Sequence, residues 1–181
     1  MINNFLRENR IVAGVLALIR IYLGWSWMTA GWGKITGGFD ANGYLGNVVA
    51  NPVLDKGTGE AIYPMYNAFI EGFALPNVGL INFLIPWGEF LVGLGLLLGC
   101  LTTAAAFFGV MMNFMFMFAG TVSTNPEMIL LGVIILAAGA NAGRYGADYF
   151  VLPYLRKVTN FKINKNDKTG TTGTIGKEKL A

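Results

Sequence analysis

Residues 79–99 read GLINFLIPWGEFLVGLGLLLG, an apolar run whose centre carries one charge, Glu89. A hydrocarbon core of about 30 Å takes roughly 20 apolar residues as a helix, so this run predicts a membrane span. Three more runs have that character: Ile11 to Trp32, Leu101 to Gly120, and Pro126 to Gly143. The first also holds a single deep charge, Arg20. A charge at mid-bilayer costs at least about 2.5–3.5 kcal/mol on insertion scales, so it is expected to be paired and to serve a purpose. With span one running outward and span two returning, Arg20 and Glu89 fall at about the same depth, roughly 14 Å from one face. The two are expected to meet.

The composition agrees with a membrane class. Hydrophobic residues make up 54% of the 181 residues and charged residues only 13%, too apolar for a soluble domain of this size. The fold class is therefore all-α: a polytopic four-transmembrane-helix bundle with an outer loop, 33–78, that contains short helices. Residues 1–10 form a short N-terminal segment, 11–155 the bundle, and 156–181 a basic tail expected to be disordered.

Charge is segregated along the chain. From Arg156 onward there are seven basic residues against Asp167 and Glu178, and Arg7 and Arg10 precede the first span. The loop 33–78 holds Lys34 and Lys56 against Asp40, Asp55, Glu60 and Glu71. The positive-inside rule then puts both termini in the cytoplasm and the loop outside, in a multi-pass protein of the plasma membrane. The basic ends read as topology anchors, with no nucleic acid as partner. The N-terminus imitates a secretory signal, but the apolar run is too long and contains Arg20; it reads as a retained span.

Two absences narrow the chemistry. Cys100 is the only cysteine, so no dithiol relay of the CxxC kind forms within the chain. Histidine is absent, which excludes His-ligated haem and His-centred metal sites from this chain alone. Met111, Met112, Met115 and Met117 raise Cu(I) binding, yet they spread around their helix among phenylalanines and read as packing material. The glycines Gly93, Gly95 and Gly99 have no βαβ unit around them and are not a dinucleotide site. No metal and no tightly bound cofactor are expected.

The connections carry further expectations. The cluster Gly31-Trp32-Gly33-Lys34 followed by Gly37-Gly38 is expected to end span one, with Trp32 in the aromatic belt. Glu60 to Phe73 places Ile62, Met65, Tyr66, Phe69, Ile70 and Phe73 at helical spacing, with Pro64 in a first turn. Spans two and three are joined only by Gly99-Cys100-Leu101-Thr102 and so are antiparallel neighbours. Thr124 or Asn125 can cap the last span, and Arg144 and Asp148 are spaced for an i,i+4 pair. Glycines at 88, 95 and 99 and at 132, 139 and 143 have spacings that allow close helix contact.

Candidate functional residues follow from these positions. Glu89 and Arg20 are the catalytic candidates, with Glu89 accepting a proton and Arg20 setting its charge state; the competing reading is a structural ion pair. Asn113, mid-span three, is a substrate-binding candidate able to hydrogen-bond either one, or a plain interhelical contact. Lys34 and Trp32 at the outer mouth are candidates for binding an anionic substrate, with a snorkelling lysine as the alternative.

The motifs Arg20…Gly24…Gly31-Trp32-Gly33-Lys34, Phe39-Asp40-Ala41, Trp87-Gly88-Glu89…Gly93-Leu94…Leu97-Leu98-Gly99…Thr102-Thr103 and Asn125-Pro126 resemble the DoxX/DoxD family of small four-span membrane proteins. The similarity runs from about residue 10 to 155. It implies a four-helix transmembrane bundle. Within the family, DoxD is the large subunit of thiosulfate:quinone oxidoreductase, which couples thiosulfate to tetrathionate and passes electrons to quinone alongside a second subunit. The resemblance thus implies a membrane oxidoreductase component with quinone as electron acceptor, a small anionic sulfur substrate, a second oxidoreductase subunit and membrane lipid as partners, and a homo-oligomer as one assembly. A non-enzymatic scaffold or assembly subunit of a redox or stress-response complex is the alternative, and a small-molecule transporter a third.

Overall fold

The computed structural model describes residues 2–155 and 157. The expected disordered tail, 156–181, lies outside the described residues apart from that one position. Helix α1 (Ile2–Glu8) leads into the long α2 (Arg10–Gly37); α3 (Asn42–Ala50) and α4 (Pro64–Phe69) with a π-helical turn (Ile70–Ala74) form a cap; α5 (Val78–Leu98), α6 (Thr102–Phe118) and α7 (Asn125–Ala138) complete the bundle. A 3₁₀ turn, Gly139–Asn141, and a helical segment at 148–155 follow. The described residues contain no strand beyond one isolated bridge between Leu54 and Ala61. The all-α expectation holds. Helices α2 and α5 are long and apolar enough to cross a membrane, while α6 and α7 are shorter apolar helices.

Helix α2 runs past Trp32, the expected end of span one, and stops at Gly37-Gly38, the last pair of the expected glycine cluster. Asn9 caps it by accepting from the N–H groups of Ile11 and Val12 (2.8 and 3.3 Å), which satisfies two otherwise orphaned donors. The helix then passes through Gly31 and Gly33 and stops at Gly38, whose φ of 75° is the left-handed conformation that glycine adopts without strain. Gly31 serves packing instead of termination: a Cβ there would run into the backbone of Pro86 and Phe90.

Three glycines set the register of α2 against α5. Gly24 lies on Leu97, Gly93 on Met28, and Gly31 on Phe90, contacts so close that a Cβ at Gly24 would stand 2.7 Å from the Leu97 nitrogen. The two numbers of each pair total 121, the signature of an antiparallel pair in one register. That register places Arg20 opposite position 101 and Glu89 opposite position 32. The residues expected to meet are therefore twelve positions apart, about 18 Å along the axis.

Two cores result. In the bundle, Leu16, Leu23, Trp27, Leu96 and Ile135 are buried together. Under the cap, Leu45, Val48, Ile70 and Ala74 pack with Phe39 and Ile81. Of the expected 60–73 helix, Pro64–Phe69 forms with Pro64 in its first turn and Ile70–Ala74 follows as the π-helical turn, while 60–63 stay outside it; α3 lies in a stretch where no helix was expected. The cap is pinned to α5 through Asn82, which accepts from the Ala41 N–H (2.7 Å) and donates to Asp40 (3.0 Å). Asp40 also accepts from the Asn42 N–H, and these two bonds hold its carboxyl below the usual carboxylate range.

Candidate functional site

The buried charge on α5 has a different partner from the one expected. Glu89, 1% exposed, receives Lys34 Nζ at 2.5 Å from each carboxylate oxygen. Lys34 reaches it because α2 remains helical past Gly31. Buried positions recur at Ala13, Leu16, Arg20, Leu23, Gly24, Trp27 and Gly31, and the next step on that face is Lys34. The signal was present in the spacing, but it is readable only if the glycines do not end the helix. The rings of Phe39 and Phe116 flank the ammonium, their centroids 5.7 and 5.9 Å away, close enough for a cation–π contribution. Trp32 itself turns outward, more than half exposed, and packs at 5.8 Å on Phe90 rather than on the pair.

Arg20 is a correction to the expected pair. It lies in the N-terminal half of α2, level with the turn after α5 and 2% exposed, where Nη2 donates to the Tyr145 carbonyl (3.1 Å) and Nη1 fits between Gly99 and Gly146. Asp148 is the nearby opposite charge. Asp148 does not pair with Arg144 as the i,i+4 spacing suggested. Its carboxylate accepts from the Leu101 and Thr102 N–H groups (2.6 and 2.9 Å) and so caps α6 from 46 residues away. Arg144 instead donates to the Glu8 carbonyl (3.2 Å). The expected cap on α7 is likewise absent, for Thr124 makes no side-chain capping bond and Asn125 donates to the Thr121 carbonyl.

A cavity of about 1260 Å³ extends from the Lys34–Glu89 pair. Its α5 wall runs from Ile81 to Leu98, about 25 Å at 1.5 Å per residue. The other walls come from α2, α6 and the cap, which contributes Tyr44, Tyr66 and Phe73. Leu91, Leu98, Phe108 and Met111 line it and are also exposed, so the cavity opens sideways between α5 and α6. Nearly all of the lining is aliphatic or aromatic. The polar exceptions are Lys34, Glu89, Asn113 and Asn125, with the hydroxyl residues Ser26, Thr121, Ser123 and Thr124.

Asn113 is 1% exposed, and both its amide nitrogen and its oxygen lack a hydrogen-bond partner. It bonds to neither Arg20 nor Glu89. A buried amide without partners costs about 1–3 kcal/mol, and such groups are rare in native interiors. Here the amide lines a cavity large enough for a ligand. The arrangement offers a donor and an acceptor on Asn113, an ammonium on Lys34 and a carboxylate on Glu89, all within an apolar enclosure. It suits a lipophilic molecule that carries carbonyl or hydroxyl groups.

The family model described as DoxX matches residues 15–123, more than half of the chain. The chain belongs to the DoxX family. No curated protein and no solved structure matches it. The matched region of this DoxX protein holds α2 from residue 15 onward through α6, with Lys34, Glu89 and Asn113, whereas Asp148 and Tyr145 lie beyond it. Family membership and the apolar helices make it a membrane protein.

Proposed function

We propose that this DoxX protein is a quinone-interacting component of a membrane oxidoreductase, spanning the plasma membrane several times with both termini in the cytoplasm. The observation that carries this reading is the orphaned Asn113 amide in an apolar cavity that also holds the Lys34–Glu89 pair. A quinone enters from lipid through the opening between α5 and α6. Its isoprenoid chain lies along the leucines and phenylalanines, and its ring comes to rest at the polar end. Lys34 Nζ and Asn113 Nδ2 donate to the ring oxygens. Reduction to quinol consumes two protons and two electrons: the Lys34–Glu89 pair gives one, the ammonium proton passing to the ring oxygen by way of the Glu89 carboxylate, and water supplies the other and recharges the pair.

The chain holds no histidine and a single cysteine, so the electrons are assigned to a partner subunit that oxidises a small anionic sulfur donor. Two thiosulfates yield one tetrathionate and the two electrons required. Lys34 is already neutralised by Glu89, so the anionic donor is assigned to the partner and not to Lys34. A scaffold role is the second reading, supported by the capping of α6 by Asp148, which ties the segment after α7 to the start of α6.

The test is equilibrium binding of a short-chain quinone to protein in lipid nanodiscs, for wild type, Asn113→Leu and Glu89→Gln. Saturable binding that Asn113→Leu weakens about tenfold, roughly the loss of one hydrogen bond to a buried group, supports the quinone site. Absence of binding in well-folded wild type leaves the scaffold reading.

A further inference from the structure

The end of the bundle far from Glu89 contains a second recess, about 370 Å³ in volume, walled by Arg10, Arg144, Tyr145 and Tyr149. It is separate from the apolar cavity and shares no residue with it. Two arginines line it, and among the described residues no acidic one does. Arg144 is held in place by its bonds to the Glu8 carbonyl and, at 3.5 Å, to Asn141 Oδ1. Tyr145 is fixed by donating its hydroxyl to the Arg10 carbonyl (3.4 Å). The Arg10 guanidinium, in contrast, is exposed and has no hydrogen bond or ion pair to any described residue. One positioned and one unengaged arginine thus share a recess without an acidic residue in its wall among the described residues.

The surroundings indicate what would fill it. Arg10 is the first residue of the spanning helix α2, and Ile11 beside it is 80% exposed. Tyr149, Phe150 and Tyr154 are also exposed, at 67%, 75% and 69%. Exposed tyrosines and phenylalanines next to arginines, at the end of a membrane helix, belong at headgroup depth. A guanidinium presents a planar fork of donors that matches two phosphate oxygens. Apolar side chains beside the recess suit acyl chains and offer nothing to a free inorganic anion.

We infer that this recess is a binding site for an anionic phospholipid, whose phosphate lies between Arg10 and Arg144 while its acyl chains run along Ile11 and Phe150. The site is independent of the quinone reading, and neither depends on the other.

Native mass spectrometry of the detergent-solubilised protein tests it. The probe is an equimolar mixture of phosphatidylglycerol and phosphatidylcholine with identical acyl chains. Wild type is expected to retain phosphatidylglycerol about fivefold more than phosphatidylcholine, the preference that one arginine near an anionic headgroup supplies. Arg10→Gln, which breaks no bond within the protein, is expected to lower the preference severalfold with unchanged helical circular dichroism, and Arg10→Lys to restore part of it. Equal retention of the two lipids by wild type overturns the proposal, as does an undiminished preference in Arg10→Gln. Displacement of phosphatidylglycerol by an equal concentration of inorganic phosphate also overturns it, by showing a site for the free anion.

Discussion

Glu89 and Asn113 are both buried and polar, yet they are predicted to respond to substitution in opposite directions. Glu89→Gln leaves the Lys34 ammonium beside a neutral amide in an apolar wall. Breaking a buried pair costs about 3–5 kcal/mol, and a lower figure, roughly 1–3 kcal/mol, is expected because Lys34 is 31% exposed. Replacing both residues, as in Lys34→Met with Glu89→Leu, is expected to recover most of that loss. Thermal unfolding in detergent checks both variants. Asn113→Leu removes an amide that has no partner and is expected to raise the melting temperature while it weakens quinone binding. A variant both less stable and unaltered in binding would mean that Asn113 is merely a packed core residue. Both positions stood out in the sequence as polar residues within apolar runs, but the partner of Glu89 did not. Intramembrane charge by itself suggested Arg20, and only the depth of each residue could exclude it.

Among the helices, glycine has two distinct roles that the residue type does not reveal. Gly31 and Gly93 bring the α2 and α5 backbones together, whereas a Cβ at Gly33 meets nothing within 4 Å. Gly93→Ala must force the two helices apart and is predicted to cost several kcal/mol, on the order of other overpacking changes. Gly33→Ala is expected to be neutral or to stabilise by about 0.5–1 kcal/mol through helix propensity. Chemical denaturation of the two variants side by side provides the comparison. In the cap, burial pushes the Tyr66 phenol up from 10.0 to about 12, with Tyr44 adding to the effect. A folded-state pKa above the unfolded one leaves stability intact below pH 10 and removes it as the pH rises through about 12. Tyr66→Phe is therefore expected to flatten the alkaline fall in cap stability, followed by hydrogen exchange of residues 42–50. An unchanged pH profile would place the alkaline transition elsewhere.

Across the whole molecule, the two ends of the bundle do different work. One end carries the ion pair, the cap and the polar end of the cavity. At the other, the segment after α7 folds back so that Asp148 caps α6 and the Tyr145 carbonyl receives Arg20. Asp148→Ala removes two hydrogen bonds from the start of α6 and an opposite charge from the vicinity of Arg20. Loss of an N-cap costs about 0.5–2 kcal/mol, and the unbalanced arginine adds to it, so a fall in melting temperature is expected with quinone affinity preserved. Loss of quinone affinity in a folded Asp148→Ala protein would show that the two ends are coupled.

The chain by itself determined four apolar helices, the short α5–α6 turn, the amphipathic segment of the cap and the residues too polar for their surroundings. Those properties are local: hydropathy, spacing and turn chemistry act within a few residues of each position. The tertiary structure alone decided which buried charges meet. Gly24, Gly31 and Gly93 fix how far α2 slides along α5, and that slide carries Lys34 to Glu89 and Arg20 to Tyr145. A shift of twelve residues changes no local pattern along either helix, yet it exchanges one ion pair for another.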